Sequence, residues 1–323
     1  MGSTPAAPAG ASTAALLVTS RVVVADGVVA FTLADPHGGR LREWTPGAHI
    51  DVVVPGGLTR QYSLCGDRFD PRTYRFAVRC DRSGRGGSAH LHDSVQVGDL
   101  LEVGGPRNTF TLVPAEEYVF LAGGIGITPL LPMIAQAELL GARWTLEYCG
   151  RSRAAMAFLA ELAPHGDRVR VHARDEAPRP DVEALVRQAP PAAKVYCCGP
   201  AEMVAAVERA AAGRPPGSVR TERFTAPQRP APVRDGSFEV VLARSGRSVT
   251  VDPSTSVVQA LERVGVRVLT SCGQGLCGTC ETGVLEGRPD HRDSVLEPAE
   301  RAADDCMLVC VSRSCSDELV LDL

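Results

Sequence analysis

The run Ser271-Cys272-Gly273-Gln274-Gly275-Leu276-Cys277-Gly278-Thr279-Cys280 carries three thiols in a C-x4-C-x2-C spacing, with Cys310 following well downstream. Four thiolates in that arrangement hold a plant-type [2Fe–2S] cluster. A loop wrapped round such a cluster turns its backbone N–H groups towards the sulfurs, and glycine supplies the dihedrals this requires. Zinc is the rival ligand, but structural zinc sites usually come as two short Cys-x2–4-Cys knuckles. One three-cysteine loop with a single distant partner fits iron and sulfide better. Cys306 competes with Cys310 for the fourth position, and the spacing favours Cys310. Cys65, Cys80, Cys149 and Cys315 have no ligand role in this reading, and Cys197 reads as buried packing.

A second chemistry is written in glycine. Gly123-Gly124-Ile125-Gly126-Ile127-Thr128-Pro129 stands between an expected buried strand at 118–122 and an expected helix at 130–140. A strand–turn–helix of this kind presents bare N–H groups and the positive end of a helix dipole to a phosphate. Thr128 is placed to cap the helix, and Pro129 sits where a missing N–H costs nothing. The glycines are spaced G-G-x-G, unlike a standard Rossmann fingerprint, and a tight turn without a ligand is the minority alternative. Arg60-Gln61-Tyr62-Ser63-Leu64 puts a cation and an aromatic ring on one side of a strand, suited to a flavin, although an ordinary barrel strand reads the same. Gly84-Arg85-Gly86-Gly87-Ser88 offers N–H donors, a guanidinium and a hydroxyl to a phosphate, or is a simple turn. Cys197-Cys198-Gly199-Pro200 closes a strand at the carboxyl edge of a sheet, where open α/β folds bind ligands.

These motifs need three kinds of scaffold. At 323 residues the chain is long enough for two or three domains. From 14 to 113, strands at 17–24, 28–33, 50–54, 61–64, 74–79 and 100–103 alternate with Gly, Pro and Asp turns, as in a closed antiparallel β-barrel. From 114 to 225 strands and helices alternate. Strands at 118–122, 144–148, 169–172, 195–198 and 219–222 are separated by helices at 130–140, 154–162, 181–188 and 201–212, which is an α/β parallel-sheet pattern. The proline-rich stretch 226–235 reads as a semi-rigid linker. From 236 to 323, strands at 238–242, 248–251, 283–286, 307–311 and 319–323 accompany one helix from 256 to 265. The first 13 residues read as a disordered tail without signal-peptide character.

Composition excludes several classes. The net charge is −4 and no basic tract exists, which argues against nucleic acid or an anionic membrane surface as partner. No apolar run is long enough to span a bilayer. Eleven mostly isolated cysteines suit a reducing cytoplasm. The histidines do not cluster: His49, His90, His92, His165, His172 and His291 read as surface or hydrogen-bonded residues. No G-x-S-x-G elbow is present.

Taken together and in this order, R-x-Y-S-L, G-R-G-G-S, G-G-I-G-I-T-P, C-C-G-P and the C-terminal C-x4-C-x2-C…C resemble the phthalate dioxygenase reductase family, which includes vanillate demethylase reductases, within the ferredoxin–NADP reductase superfamily. The resemblance covers nearly all of 16–323. It implies an FMN-binding barrel, an NAD(P)-binding α/β domain and a β-grasp ferredoxin domain, since the order with the ferredoxin last usually goes with FMN. It also implies that Arg60, Tyr62 and Ser63 hold the flavin, that Ala77, Val78 and Arg79 line its ring edge through backbone, and that Arg85, Gly86, Gly87 and Ser88 take its phosphate. Thr128 and Phe224 would border the flavin from the second domain. Gly123, Gly124 and Gly126 would face the dinucleotide phosphates, with Cys198, Gly199 and Pro200 near the nicotinamide. Cys198 and Glu222 would be the catalytic pair, and Cys272, Cys277, Cys280 and Cys310 the metal ligands. The implied activity is NADH-dependent electron transfer to a Rieske-type or P450 oxygenase by a monomeric cytoplasmic protein. Cys149-Gly150-Arg151-Ser152-Arg153 departs from the acidic pattern of NADH enzymes and keeps NADPH open. The alternatives are an FAD-containing, NADPH-preferring version of the same reductase, a non-enzymatic ferredoxin-like electron carrier, and a zinc-stabilised interaction module.

Overall fold

The computed structural model describes residues 13–323, so the expected tail lies, Thr13 apart, outside the described residues. The described chain forms two compact units, residues 13–224 and 225–323. No helix among the described residues is long and apolar enough to cross a membrane.

The first unit begins with β1 (Ala14–Ala25), β2 (Val28–Ala34), β3 (His49–Val54), β4 (Leu58–Ser63), β5 (Thr73–Arg79), α1 (Gly87–Asp93) and β6 (Leu100–Arg107). The strands pair antiparallel in the order β4-β3-β6-β1-β2-β5. A bridge between Leu64 and Phe76 joins the two ends, so the sheet curls into a barrel. Alternation does the sorting. Val29, Phe31 and Leu33 of β2 fill the barrel with Ile50, Val52 and Phe76, whereas Val28 and Ala30 face a second cluster outside it. Helix α1 lies outside the expected strand pattern, because its glycine start and two histidines disguise a single buried leucine, Leu91.

That second cluster is shared with a parallel sheet. Here β7 (Glu117–Gly123), α2 (Leu130–Leu139), β8 (Arg143–Gly150), α3 (Leu159–Leu162), β9 (Val169–Ala173), α4 (Val182–Gln188), β10 (Lys194–Cys198), α5 (Ala201–Ala211) and β11 (Val219–Glu222) follow one another. All neighbours run parallel in the order β11-β10-β7-β8-β9. Tyr118, Phe120, Tyr196 and Cys198 face the barrel side, while Val119, Leu121, Val195 and Cys197 pack under α4 and α5. A sheet buried on both faces explains why β7 is a continuous apolar run. The expected helix at 154–162 is broken. Two 3-10 turns (153–155 and 163–168) flank the single turn α3, and Phe158 takes a left-handed φ of 65°. Met156, Ala157, Phe158 and Leu162 are buried all the same, so the apolar run reports burial and not helix.

The second unit contains β12 (Phe238–Leu242), β13 (Arg247–Val251), α6 (Val257–Arg263), β14 (Glu281–Glu286), β15 (Pro289–Asp290), α7 (Pro298–Ala303), β16 (Cys306–Leu308), β17 (Arg313–Ser314) and β18 (Glu318–Leu321). The main sheet runs β13-β12-β18-β14-β16, with β12 and β18 parallel at its centre. Helix α6 lays Val257, Val258, Ala260 and Leu261 onto Val240, Leu242, Leu319 and Leu321, the β-grasp arrangement. Ser256 and Gln259 form a reciprocal cap at its start, and Gly265 (φ 77°) follows its end. Helix α7, which buries no residue, is an addition to the expected elements. The strand expected over 307–311 stops at Leu308, and Val311 N–H turns back to the Leu308 carbonyl. That turn lifts Cys310 out of the sheet.

Candidate functional site

In the first unit the expected flavin and nucleotide residues gather on two loops and two strand ends. The Gly123–Thr128 turn packs directly on Cys198–Pro200. A Cβ on Gly126 would lie 2.2 Å from the Cys198 carbonyl oxygen, and one on Gly123 would lie 2.4 Å from Pro200 Cδ. The absence of side chains at these two positions is therefore demanded by loop-on-loop packing. Gly124 (φ 55°) has open space on its Cβ side and is the one of the three free to meet a ligand. Thr128 does not cap α2. Its hydroxyl donates to the Ile125 carbonyl at 2.9 Å and closes the preceding 3-10 turn, leaving Pro129 at the cap position.

Two side chains meet on the carboxyl of a third. Ser63 Oγ, from the end of β4, donates to Glu222 Oε2 at 3.5 Å, and Cys198 Sγ approaches the same oxygen at 3.8 Å. Cys198 and Glu222 are register partners in the parallel sheet, which places them on one face. Part of the Glu222 side chain stays accessible, yet protein packs densely round the carboxyl. That desolvation pushes its pKa up to about 8, against the opposing pull of the Cys198 and Ser63 hydrogen bonds. Burial likewise drives the Cys198 thiol well above its ordinary value. At neutral pH the cluster is a neutral acid beside a neutral thiol.

Across the strand pair from Ser63 stands His49, which corrects its reading as a surface or hydrogen-bonded residue. It is 3% exposed, its Nε2 is buried without a partner, and its pKa falls to about 4, from burial first and then from Arg107.

The barrel loop fits an anion. Arg60 gives Nη1 to the Thr59 carbonyl, but its Nη2 is buried without a partner. Burial, and then the neighbouring Arg85, lower its pKa. Neither arginine has a carboxylate partner among the described residues. Two like charges held close with an orphaned donor are the mark of a missing phosphate-like group. The Arg60 stem lies against Gly87, where a Cβ would come within 2.9 Å of Arg60 Cγ, and Gly86 adopts a φ of 86°. Ser88 differs from expectation, because its hydroxyl is committed to the Asp81 backbone. Tyr62 stacks on Phe76 at 5.2 Å. Ala77 and Val78 are buried on β5, with the Val78 carbonyl receiving the His92 ring, whereas Arg79 and Phe224 are exposed. Beyond β8, Arg153 is held by both oxygens of Glu176, an acidic residue that the sequence reading overlooked.

In the second unit the four cysteines come together as two pairs. The Cys277 thiol donates to Cys272, and the Cys280 thiol donates to Cys310. The Cys272 pKa falls to about 6 through that bond and through the N–H groups of Leu276 and Gln274, which lie 3.4 and 3.3 Å from its sulfur. Cys310 is lowered by Cys280 and by the Gly275 N–H. Thr279 Oγ1 stands 3.1 Å from Cys277 Sγ. Among the described residues no three His, Cys, Asp or Glu side chains converge as they would on a single metal ion. Two sulfur pairs ringed by N–H donors suit two irons, each taking two thiolates. Cys306 stays in β16 with its thiol bonded towards Asp305, its pKa raised to about 11 chiefly by burial.

Comparison with known proteins agrees with this geometry. The family described as "2Fe-2S iron-sulfur cluster binding domain" matches residues 240–315. Phenoxybenzoate dioxygenase subunit beta of Ectopseudomonas oleovorans is 48% identical over 93% of this chain and 94% of its own length. An intact type IV self-sufficient cytochrome P450 monooxygenase superposes with a TM-score of 0.91 at 42% identity over 96% of this chain, which spans only 41% of that one. Phthalate dioxygenase reductase, described as a modular structure for electron transfer from pyridine nucleotides to [2Fe–2S], superposes with a TM-score of 0.68 at 38% identity, over 96% of this chain and 98% of that one. With an antiparallel barrel, a parallel sheet and a C-terminal β-grasp domain in the same order, the chain belongs to the phthalate dioxygenase reductase family and is an NAD(P)H-dependent iron–sulfur oxidoreductase of the oxygenase-reductase kind.

Proposed function

We propose that the chain takes reducing equivalents from NADH onto FMN in the barrel and passes single electrons through a [2Fe–2S] cluster on Cys272, Cys277, Cys280 and Cys310 to an oxygenase. The flavin, when bound, accepts a hydride as a pair of electrons and releases them singly, and the cluster carries one at a time. The observation that carries this reading is the meeting of Ser63 from the barrel with Cys198 and Glu222 from the parallel sheet on one carboxyl. These residues shape the junction where a nicotinamide ring and a flavin ring would face each other. The buried Ser63 hydroxyl supplies a hydrogen bond at the end of β4, Cys198 packs as an apolar floor, and Glu222 holds a proton near neutrality. Arg60 and Arg85 take the flavin phosphate, and Tyr62 gives the ring a flat neighbour. Gly124 and the backbone of Gly199 and Pro200 approach the dinucleotide, while Thr128, Phe224 and the β5 backbone at Ala77–Arg79 border the flavin.

NADH is favoured over NADPH because Arg153 is already matched by Glu176, leaving less unpaired charge for a 2′-phosphate. FMN is favoured over FAD by the resemblance to reductases in which the ferredoxin domain follows the nucleotide domain. The acceptor is an oxygenase, of Rieske type or a P450; the relatives include a dioxygenase subunit and a self-sufficient cytochrome P450 monooxygenase. The protein works as a cytoplasmic monomer.

Anaerobic titration with NADH and with NADPH, followed by mass analysis of the released flavin, tests the reading. The expected result is full bleaching at lower NADH than NADPH, with FMN recovered. Recovery of FAD, or bleaching only by NADPH, overturns the cofactor assignment.

A further inference from the structure

The proline-rich stretch after β11 does more than connect. Pro230 restricts Arg229 to an extended backbone, which aims its side chain in a set direction. Arg229 Nη2 donates to the Gln274 carbonyl at 2.6 Å, and its Nε donates to the Arg292 carbonyl at 3.1 Å. Arg292 returns the bond, giving Nη2 to the Pro230 carbonyl at 2.6 Å, and Asp290 takes the Val233 N–H at 3.2 Å. The stretch is thereby held by four hydrogen bonds, one to the cysteine loop and three to the segment 290–292.

Gln274 itself lies inside the cysteine loop, and its own N–H donates to Cys272 Sγ at 3.3 Å. Arg229, Gln274 and a ligand sulfur thus form one hydrogen-bonded chain. A guanidinium fixed on the carbonyl holds that residue, and with it the N–H that faces the sulfur, in place. Arg229 has no carboxylate partner among the described residues, so its charge also acts unneutralised on the loop. Glycine is required at 275, whose φ is 69° and whose Cβ would lie 2.6 Å from Val311 Cγ2.

We propose that Arg229 is a positioning residue for the iron–sulfur centre, which holds Gln274 against Cys272 and sets a positive charge beside the cysteine loop, and so raises the reduction potential of the cluster. The inference rests on the assignment of Cys272 as a cluster ligand. Hydrogen bonds and positive charge near the sulfurs stabilise the extra electron of the reduced state. The strap therefore makes the cluster a readier acceptor from the flavin.

The test compares the full-length chain with Arg229→Gln and Arg229→Lys, measuring iron and sulfide content, the redox midpoints of both centres and the electron paramagnetic resonance signal of the reduced cluster. The expected result for Arg229→Gln is a full iron content, an unchanged flavin midpoint, and a cluster midpoint lowered by about 59 mV, the one-electron equivalent of a tenfold smaller reduction constant. Arg229→Lys, which keeps the charge but loses the forked donation, should fall between the two. An unchanged cluster midpoint in both variants, with full iron, overturns the inference alone. Full iron and an unaltered signal in Cys272→Ser overturn the ligand assignment and the inference with it.

Discussion

Glu222 gives the sharpest quantitative prediction. A solvated glutamate ionises near 4.5, whereas Glu222 is held protonated up to about 8 by the protein packed round it. Between those values the folded protein keeps a proton that the unfolded chain releases. Unfolding is then favoured as pH rises. Each tenfold difference in proton affinity is worth about 1.4 kcal/mol, so the full gap would cost about 5 kcal/mol by pH 8. Part of the side chain reaches solvent, which reduces this to about 2–3 kcal/mol. Glu222→Gln keeps the size and polarity of the group but removes its titration. Urea unfolding of both proteins at a series of pH values isolates the effect, since all other titrating groups cancel in the difference. At pH 5 the two should be similarly stable. As pH rises towards 8.5 the wild type should lose about 2–3 kcal/mol relative to the variant, with the difference levelling above that. A flat difference across the range, or one that grows in favour of the wild type, would refute the claim that this carboxyl is neutral at pH 7.

Three further outcomes are expected. Cys277→Ala should abolish electron delivery to a one-electron protein acceptor while NADH still bleaches the flavin, and loss of bleaching with flavin still bound would break the assigned division of labour. Arg60→Gln should weaken flavin binding about 10- to 150-fold, the equivalent of a charge-assisted hydrogen bond worth about 1.5–3 kcal/mol. Equilibrium dialysis against FMN measures it, and unaltered affinity would remove Arg60 from the phosphate site. Gly126→Ala drives a methyl into the Cys198 carbonyl and should destabilise the first unit by about 1–3 kcal/mol, read from its denaturation midpoint.

Much of the architecture was legible in the amino-acid order, because strand alternation, glycine turns and helix caps are local. The strands at 219–222 and 238–242 match β11 and β12 residue for residue, and α6 falls within the helix expected over 256–265. The cysteine spacing alone pointed to the cluster, since a single short loop must wrap it. What failed locally failed for a local reason. The apolar run at 154–162 satisfies burial without helix, and the capped turn α7 carries no apolar face to betray it.

The sites themselves were decided by the tertiary structure. Ser63 and Glu222 lie 159 residues apart, and nothing in either segment says that they share a hydrogen bond. Cys197 and Cys198 are adjacent thiols in sequence, yet strand alternation sends one beneath the helices and the other to the carboxyl of Glu222. Cys306 and Cys310 were separated by a turn that only the packed domain reveals. Arg229 read as part of a linker until the fold laid it over the cysteine loop. Spacing along the chain governs what a segment can form by itself. Which segments then face one another depends on strand register and on which face of a sheet is covered, and those are properties of the whole fold.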